Sequence, residues 1–156
     1  MQPADATPDA MPDAAHTFFT DRFEHSVDDK GRVTLPAQYR RYLPTDSTAY
    51  FVPSAHGEPC VRVFPLATWT QYDQKYLEQL NEFAAKDVSR MIRNLYYRIK
   101  KVTVDKAGRV LLPDDFVNSL GLSGKILMAG HRDHFEIWDP QAFEEFIRSE
   151  GEGDES

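Results

Sequence analysis

A single cysteine, Cys60, among 156 residues removes two possibilities at once. The chain cannot close an internal disulfide, and it cannot build a thiolate metal cluster by itself. A reducing, intracellular setting fits that usage. No apolar run approaches the roughly 20 residues that a membrane-spanning helix requires. The N-terminus lacks the basic start and apolar centre of a secretory signal. Also missing are a phosphate-cradling glycine loop, a zinc-protease helix signature and a nucleophile elbow. The residues call for no enzyme, no cofactor, no small-molecule substrate and no membrane, and point to a cytoplasmic protein.

An excess of positive charge is missing as well. Eighteen Lys and Arg stand against 25 Asp and Glu, a formal net charge of -7, which at first argues against a nucleic-acid partner. Placement changes that reading. Asp5, Asp9 and Asp13 lie in the first sixteen residues, which hold no Lys or Arg; Glu150, Glu152, Asp154 and Glu155 lie in the last eight. The body between them is neutral. Net charge governs solubility and steering rather than fold, so a local basic face is compatible with it. Residues 1–16, rich in Ala, Pro and Asp, read as a disordered acidic leader, and residues 149–156 as an acidic tail.

What the chain does have is a repeat. Val27-Asp28-Asp29-Lys30-Gly31-Arg32-Val33-Thr34-Leu35-Pro36 returns 77 residues later as Val104-Asp105-Lys106-Ala107-Gly108-Arg109-Val110-Leu111-Leu112-Pro113. Both read Val-Asp-x-x-Gly-Arg-Val-x-Leu-Pro. Alternating apolar residues on either side of a polar loop, with a glycine where the backbone needs positive φ, predict a strand, turn, strand unit. Tyr39 falls on Phe116 and Leu43 on Leu120 at the same offset. Further on, Phe64-Pro65-Leu66-Ala67-Thr68-Trp69 resembles Trp138-Asp139-Pro140-Gln141-Ala142-Phe143. A unit of roughly 50 residues is marginal alone, so the two copies should pack on each other.

The remaining segments follow from period and punctuation. A first repeat over 17–65 carries a short helix after Pro36 and strands over 49–52 and 60–64. Residues 66–97 are helical, with Trp69, Tyr72, Tyr76, Leu80 and Phe83 at three- or four-residue spacing. A break near 84–87 makes two helices, longer than any in the second half, with Asp87 as N-cap of the second. The second repeat, 98–148, carries a short helix closed by Gly121, strands over 125–129 and 134–138, and a final helix over 141–148 with Phe143, Phe146 and Ile147 on its apolar face. The class is α+β.

The chemistry concentrates in the two loops. Arginine at a turn tip can pair bidentately with phosphate or with guanine O6 and N7. Lysine beside it adds a point charge for phosphates. Aspartate four residues earlier can accept from the turn backbone or hold the guanidinium. An isolated Asp–Arg pair would read as a surface ion pair of little consequence; duplication with the same glycine favours DNA contact. Arg40 and Arg41 add charge beside the first loop, whereas Asp114 and Asp115 occupy the start of the corresponding helix in the second copy. The first repeat is therefore expected to contribute more to DNA affinity.

Val-Asp-Asp-Lys-Gly-Arg-Val-Thr-Leu-Pro followed by Tyr39-Arg40-Arg41 resembles the swapped-hairpin module of AbrB-type transition-state regulators. Two such modules, each with Asp-x-x-x-Arg and linked by a helical segment, resemble the MraZ family over roughly residues 18–148. The resemblance implies interlocked hairpins forming a small β-barrel, with the two modules of one chain acting as a pseudo-dimer. It implies a ring-shaped homo-oligomer whose rim meets direct repeats in double-stranded promoter DNA, in a nucleoid-associated regulator of the bacterial division and cell-wall gene cluster. The DNA-contacting positions it implies are Asp28, Lys30, Gly31, Arg32, Asp105, Lys106, Gly108 and Arg109, with Arg40 and Arg41 as further candidates.

Two other readings stay open. Antitoxins also use the swapped-hairpin module, usually one per chain with a partner-binding extension. A non-DNA scaffold would instead bind protein through the aromatic stripe Trp69, Tyr72, Tyr76 and Phe83. Two lesser clusters read as structural. His131, Asp133, His134 and Glu136 have metal-capable side chains but no established ligand spacing, so they read as a polar turn. The basic run Arg90, Arg93, Arg98, Lys100 and Lys101 reads as a set of partners for acidic neighbours between subunits rather than as a second DNA surface.

Overall fold

A computed structural model describes residues 16–154, with side chains through residue 151. The leader expected over 1–16 lies outside the described residues except for His16. Eight strands and five helices follow one another: β1 (Arg22–Ser26), β2 (Arg32–Thr34), α1 (Ala37–Arg40), β3 (Thr48–Pro53), β4 (Cys60–Pro65), α2 (Leu66–Gln79), α3 (Ala85–Tyr96), β5 (Lys100–Thr103), β6 (Arg109–Leu111), α4 (Asp114–Leu120), β7 (Lys125–Gly130), β8 (Phe135–Trp138) and α5 (Pro140–Asp154). Among the described residues, no helix is long and apolar enough to cross a membrane.

The arms of each motif do form strands, but they do not pair with each other. β1 pairs with β7 and β2 with β6, while β3, besides its hairpin with β4, pairs with β5. Every one of the first motif's ladders thus reaches into the second repeat. The six-stranded sheet runs β1-β7-β8-β4-β3-β5, and β2-β6 forms a separate two-stranded ladder. Both are two-fold in pattern. In β2-β6, Val33 faces Val110, so Arg32 opposite Leu111 is matched by Arg109 opposite Thr34. Period-two alternation looks the same for a local hairpin and for exchanged arms, so the alternation itself left the pairing partner open.

Alternation explains which side is buried. Val33 and Val110 are buried while their neighbours in each strand are not. They join Leu35, Tyr39 and Leu43 from the first repeat and Leu112, Phe116 and Leu122 from the second, packed against Phe51, Ile126, Met128 and Phe135 of the large sheet. The Tyr39 hydroxyl donates to the carbonyls of Thr20 and Asp21 at 3.1 and 3.3 Å, so the phenol is buried without an orphaned polar atom. Burial pushes that hydroxyl's pKa well above the usual tyrosine range.

The helices settle several expectations. α4 ends on Gly121, left-handed at φ 67°. α2 lays Trp69 against Phe64 and Tyr50, and Tyr72 stacks beside it, so most of the aromatic stripe is packing; Phe83 remains half exposed. Asp87 is not the cap of α3. Ala84 precedes that helix, and Asp87 lies in its first turn, bonded to Arg90 at 3.1 Å. The longest helix is not in the middle: α5 has 15 residues against 14 in α2, because it continues past Arg148 to Asp154. Phe143 and Phe146 of α5 pack on Trp138, whereas Ile147 is exposed.

Candidate nucleic-acid interface

Each loop is a turn built around one aspartate. Asp28 Oδ1 accepts from the backbone N–H of Lys30 at 2.9 Å and of Arg32 at 2.8 Å, and Oδ2 accepts from Arg32 Nε at 2.9 Å. The second copy repeats this to the same distances: Ala107 N–H and Arg109 N–H to Asp105 Oδ1 at 2.9 and 2.8 Å, and Arg109 Nε to Oδ2 at 2.9 Å. The Arg32 N–H first, and the guanidinium after it, hold the Asp28 carboxyl below its usual range; Arg109 does the same for Asp105. Gly31 and Gly108 take φ 84° and 76°, the left-handed turn that closes each loop.

The ion pairs use only Nε. Among the described residues, neither terminal guanidinium nitrogen of Arg32 or Arg109 has a hydrogen-bond partner, so the fork that recognises phosphate or guanine stays available. The β2-β6 ladder sets the two arginines on one face, diagonal to each other and roughly 7–8 Å apart by ladder geometry. Leu111 stands on that same face, 54% exposed. The loops are also tied to the opposite repeat: Leu112 N–H donates to Gly31 O, and Leu35 N–H to Gly108 O, each at 2.9 Å.

The environments of the two loops differ in a way the sequence misses. Arg40 lies across the second loop: a β-carbon on Gly108 would meet its Cδ at 2.6 Å and Nη1 at 2.9 Å. At Gly31 the same test meets only Leu111 Cδ1, at 3.6 Å. The residue matching Arg40 in the repeat is Val117, which lines a cavity of about 270 Å3 beside the first loop together with Asp114. So the repeats exchange flanks. The arginine beside the first motif serves the second loop, and the acidic helix start of the second motif borders the first.

Lys30 and Lys106, within the loops, are exposed, as is Arg41 directly after α1. In the separate basic run, Lys100 pairs with Asp115 at 3.3 Å and Arg98 Nε donates to Asn94 O at 2.8 Å. Leu111 and the destination of Arg40 are the two features that sequence reasoning did not find. Leu111 looked like one more apolar strand residue, and no local pattern tells an arginine which repeat it will cover.

Comparison with known proteins matches residues 18–94 and 97–154 to the family described as "MraZ protein, putative antitoxin-like". The chain is 32% identical to a protein named transcriptional regulator MraZ from Pseudoalteromonas translucida, over 81% of this chain and 83% of that one. It is 30% identical to the protein of that name from Acetivibrio thermocellus, over 88% and 92%, and 29% identical to the one from Moorella thermoacetica, over 83% and 87%.

Proposed function

The chain belongs to the MraZ family, and we propose that it is a transcriptional regulator that binds double-stranded promoter DNA through its two Asp-x-x-x-Arg loops. One observation carries the reading. The same aspartate-closed turn is built twice, and each copy leaves an arginine fork unpaired on the outward face of a single two-stranded ladder. The β2-β6 register sets both arginines on that face whatever their role, so it is their free outer nitrogens that favour a ligand over a purely turn-closing role.

The mechanism is positioning followed by multiplication. Asp28 and Asp105 fix each guanidinium through Nε, so less side-chain freedom is lost when the outer nitrogens meet a phosphate or a guanine edge. A good bidentate pairing with a base discriminates by about 1–3 kcal/mol. One chain offers two such contacts, too few for tight binding. A ring of several chains engaging direct repeats raises affinity by roughly 10²–10⁴ through effective concentration. The exchanged pairing of β1, β2 and β3 with β7, β6 and β5 supports the reading of each repeat as an AbrB-like swapped-hairpin module, with the chain as an intrachain pseudo-dimer. The regulated genes would be the division and cell-wall cluster, and the site of action the nucleoid.

The test is a titration against the upstream promoter DNA at several salt concentrations, beside the Arg32→Ala/Arg109→Ala double variant. The reading expects steep salt dependence, preference for the promoter over unrelated DNA, and loss of binding in the double variant at unchanged light-scattering mass. Undiminished binding by the double variant refutes the loops as the contact.

A further inference from the structure

The turn between β7 and β8 holds a cluster that the loops do not use. His131 and His134 flank it, and His131 N–H donates to His134 O at 2.8 Å. Gly130 is paired with Phe135, so the next pair outward is His131 with His134, both on one side of the hairpin. Glu136, two residues on, returns to that side. The imidazole rings stack with centroids 4.7 Å apart and planes 17° from parallel, so a shared ion requires the exposed His131 ring to turn out of the stack. One ligand atom from each of His131, His134 and Glu136 lies within 4.8 Å of the other two. The spacing that looked unlike a metal site in the sequence is brought together by the tightness of the turn.

A second observation is independent of that proximity. His134 is 6% exposed, and its Nδ1 lies 2.7 Å from Asp133 Oδ1. A carboxylate in that place accepts a hydrogen bond from Nδ1–H, which fixes the tautomer and leaves Nε2 with its lone pair. Among the described residues, His134 Nε2 is the one buried side-chain polar atom without a hydrogen-bond partner. Its ring borders a cavity of about 160 Å3 that is also lined by His131, Glu136, Glu58 and Arg62. Trp138 Nε1 donates to Glu136 Oε1 at 2.9 Å, fixing that carboxylate and leaving Oε2 for a ligand. Arg62, opposite Glu136 in the β4–β8 register, borders the same cavity; its Nε donates to Pro53 O at 2.8 Å and its guanidinium lies 4.8 Å from the Tyr72 ring centre, which holds it on the Tyr72 side.

We propose that His131, His134 and Glu136 form a site for a divalent transition-metal ion of the Zn2+ and Co2+ type, with Asp133 orienting His134 from behind. Two imidazoles and a carboxylate select that class over Mg2+ and Ca2+, which prefer oxygen shells. Three protein ligands leave a coordination position open toward the cavity. The turn is itself anchored, because Phe19 and Arg132 exchange backbone hydrogen bonds at 2.7 and 3.0 Å. A bound ion therefore cross-links the two sides of the β7-β8 turn, and it raises the melting temperature because the unfolded chain lacks the site.

The experiment takes the full chain, stripped with a chelator and dialysed, through a Co2+ titration followed by Zn2+. The expected result is visible d–d absorption saturating at one Co2+ per chain, displaced by Zn2+, with a raised melting temperature. His131→Gln alters an exposed ligand, so metal-free circular dichroism and melting should match the parent while Co2+ affinity falls about tenfold or more. Absence of the Co2+ spectrum, equal affinity in His131→Gln and the parent, or equal affinity for Mg2+ each overturns the proposal. None of these readouts involves DNA.

Discussion

Arg40 and Gly108 belong to different repeats, yet the arginine side chain covers the glycine so closely that a β-carbon there would meet Arg40 Cδ at 2.6 Å. The second loop thereby gains a second guanidinium beside Arg109, while the first loop borders Asp114. This reverses the premise on which the first repeat was expected to dominate DNA affinity. Arg109→Ala should weaken promoter binding at least as much as Arg32→Ala. Arg40→Ala should cost about five- to tenfold and reduce the salt slope by about one. Anisotropy titrations of the three single variants decide the order; an Arg32→Ala loss far exceeding the other two counts against it.

The two loop glycines should separate stability from binding. Gly31→Ala and Gly108→Ala each force a side chain into a left-handed turn, costing roughly 1–2 kcal/mol of stability. Only Gly108→Ala also displaces Arg40. Thermal melts should show similar losses for both, whereas DNA titrations should show the larger loss for Gly108→Ala.

The loops should resist mild acid. Asp28 and Asp105 both have carboxyls held below the ordinary value of 3.8, chiefly by the backbone N–H of the arginine four residues on. A depressed native pKa stabilises the folded loop above that ordinary value, and the contribution is lost as pH falls below it through the native value. Carbon-detected carboxylate titration should find both groups ionising below the ordinary aspartate value of 3.8, and Asp28→Asn should remove the effect at the first loop only.

Tyr39 and Phe116 occupy matching places in the repeat, and only Tyr39 carries a hydroxyl to bond the carbonyls of Thr20 and Asp21. Tyr39→Phe should therefore cost about 1 kcal/mol in denaturant melts, the net worth of a buried hydrogen bond. Tyr39→Ala should cost about 3–5 kcal/mol through the cavity it opens.

These cases mark what the sequence could say. The turns were legible because Asp, Gly and Arg at fixed offsets have one economical geometry, and α4 was legible because Gly121 stops a helix in only a few ways. Pairing partners were not, since the alternation around Val33 is the same whether its strand pairs with β1 or with β6. Arg40 and the His131–His134–Glu136 cluster were illegible for a related reason. Each depends on where a chain reversal places a side chain in three dimensions, and strand spacing leaves that open until the register is known.

The exchanged ladders also bear on how the chain is born. β1 and β2 find their partners only in β7 and β6, and the motif copies are 77 residues apart. At about 5–20 residues per second on the ribosome, the first motif waits roughly 4–15 s for its counterpart to be synthesised. During that interval the β3-β4 hairpin can close, but Val33, Leu35 and Tyr39 have no core to enter. Assembly of the fold is thus deferred until late in translation, and a chain released before β7 has no native state available to it.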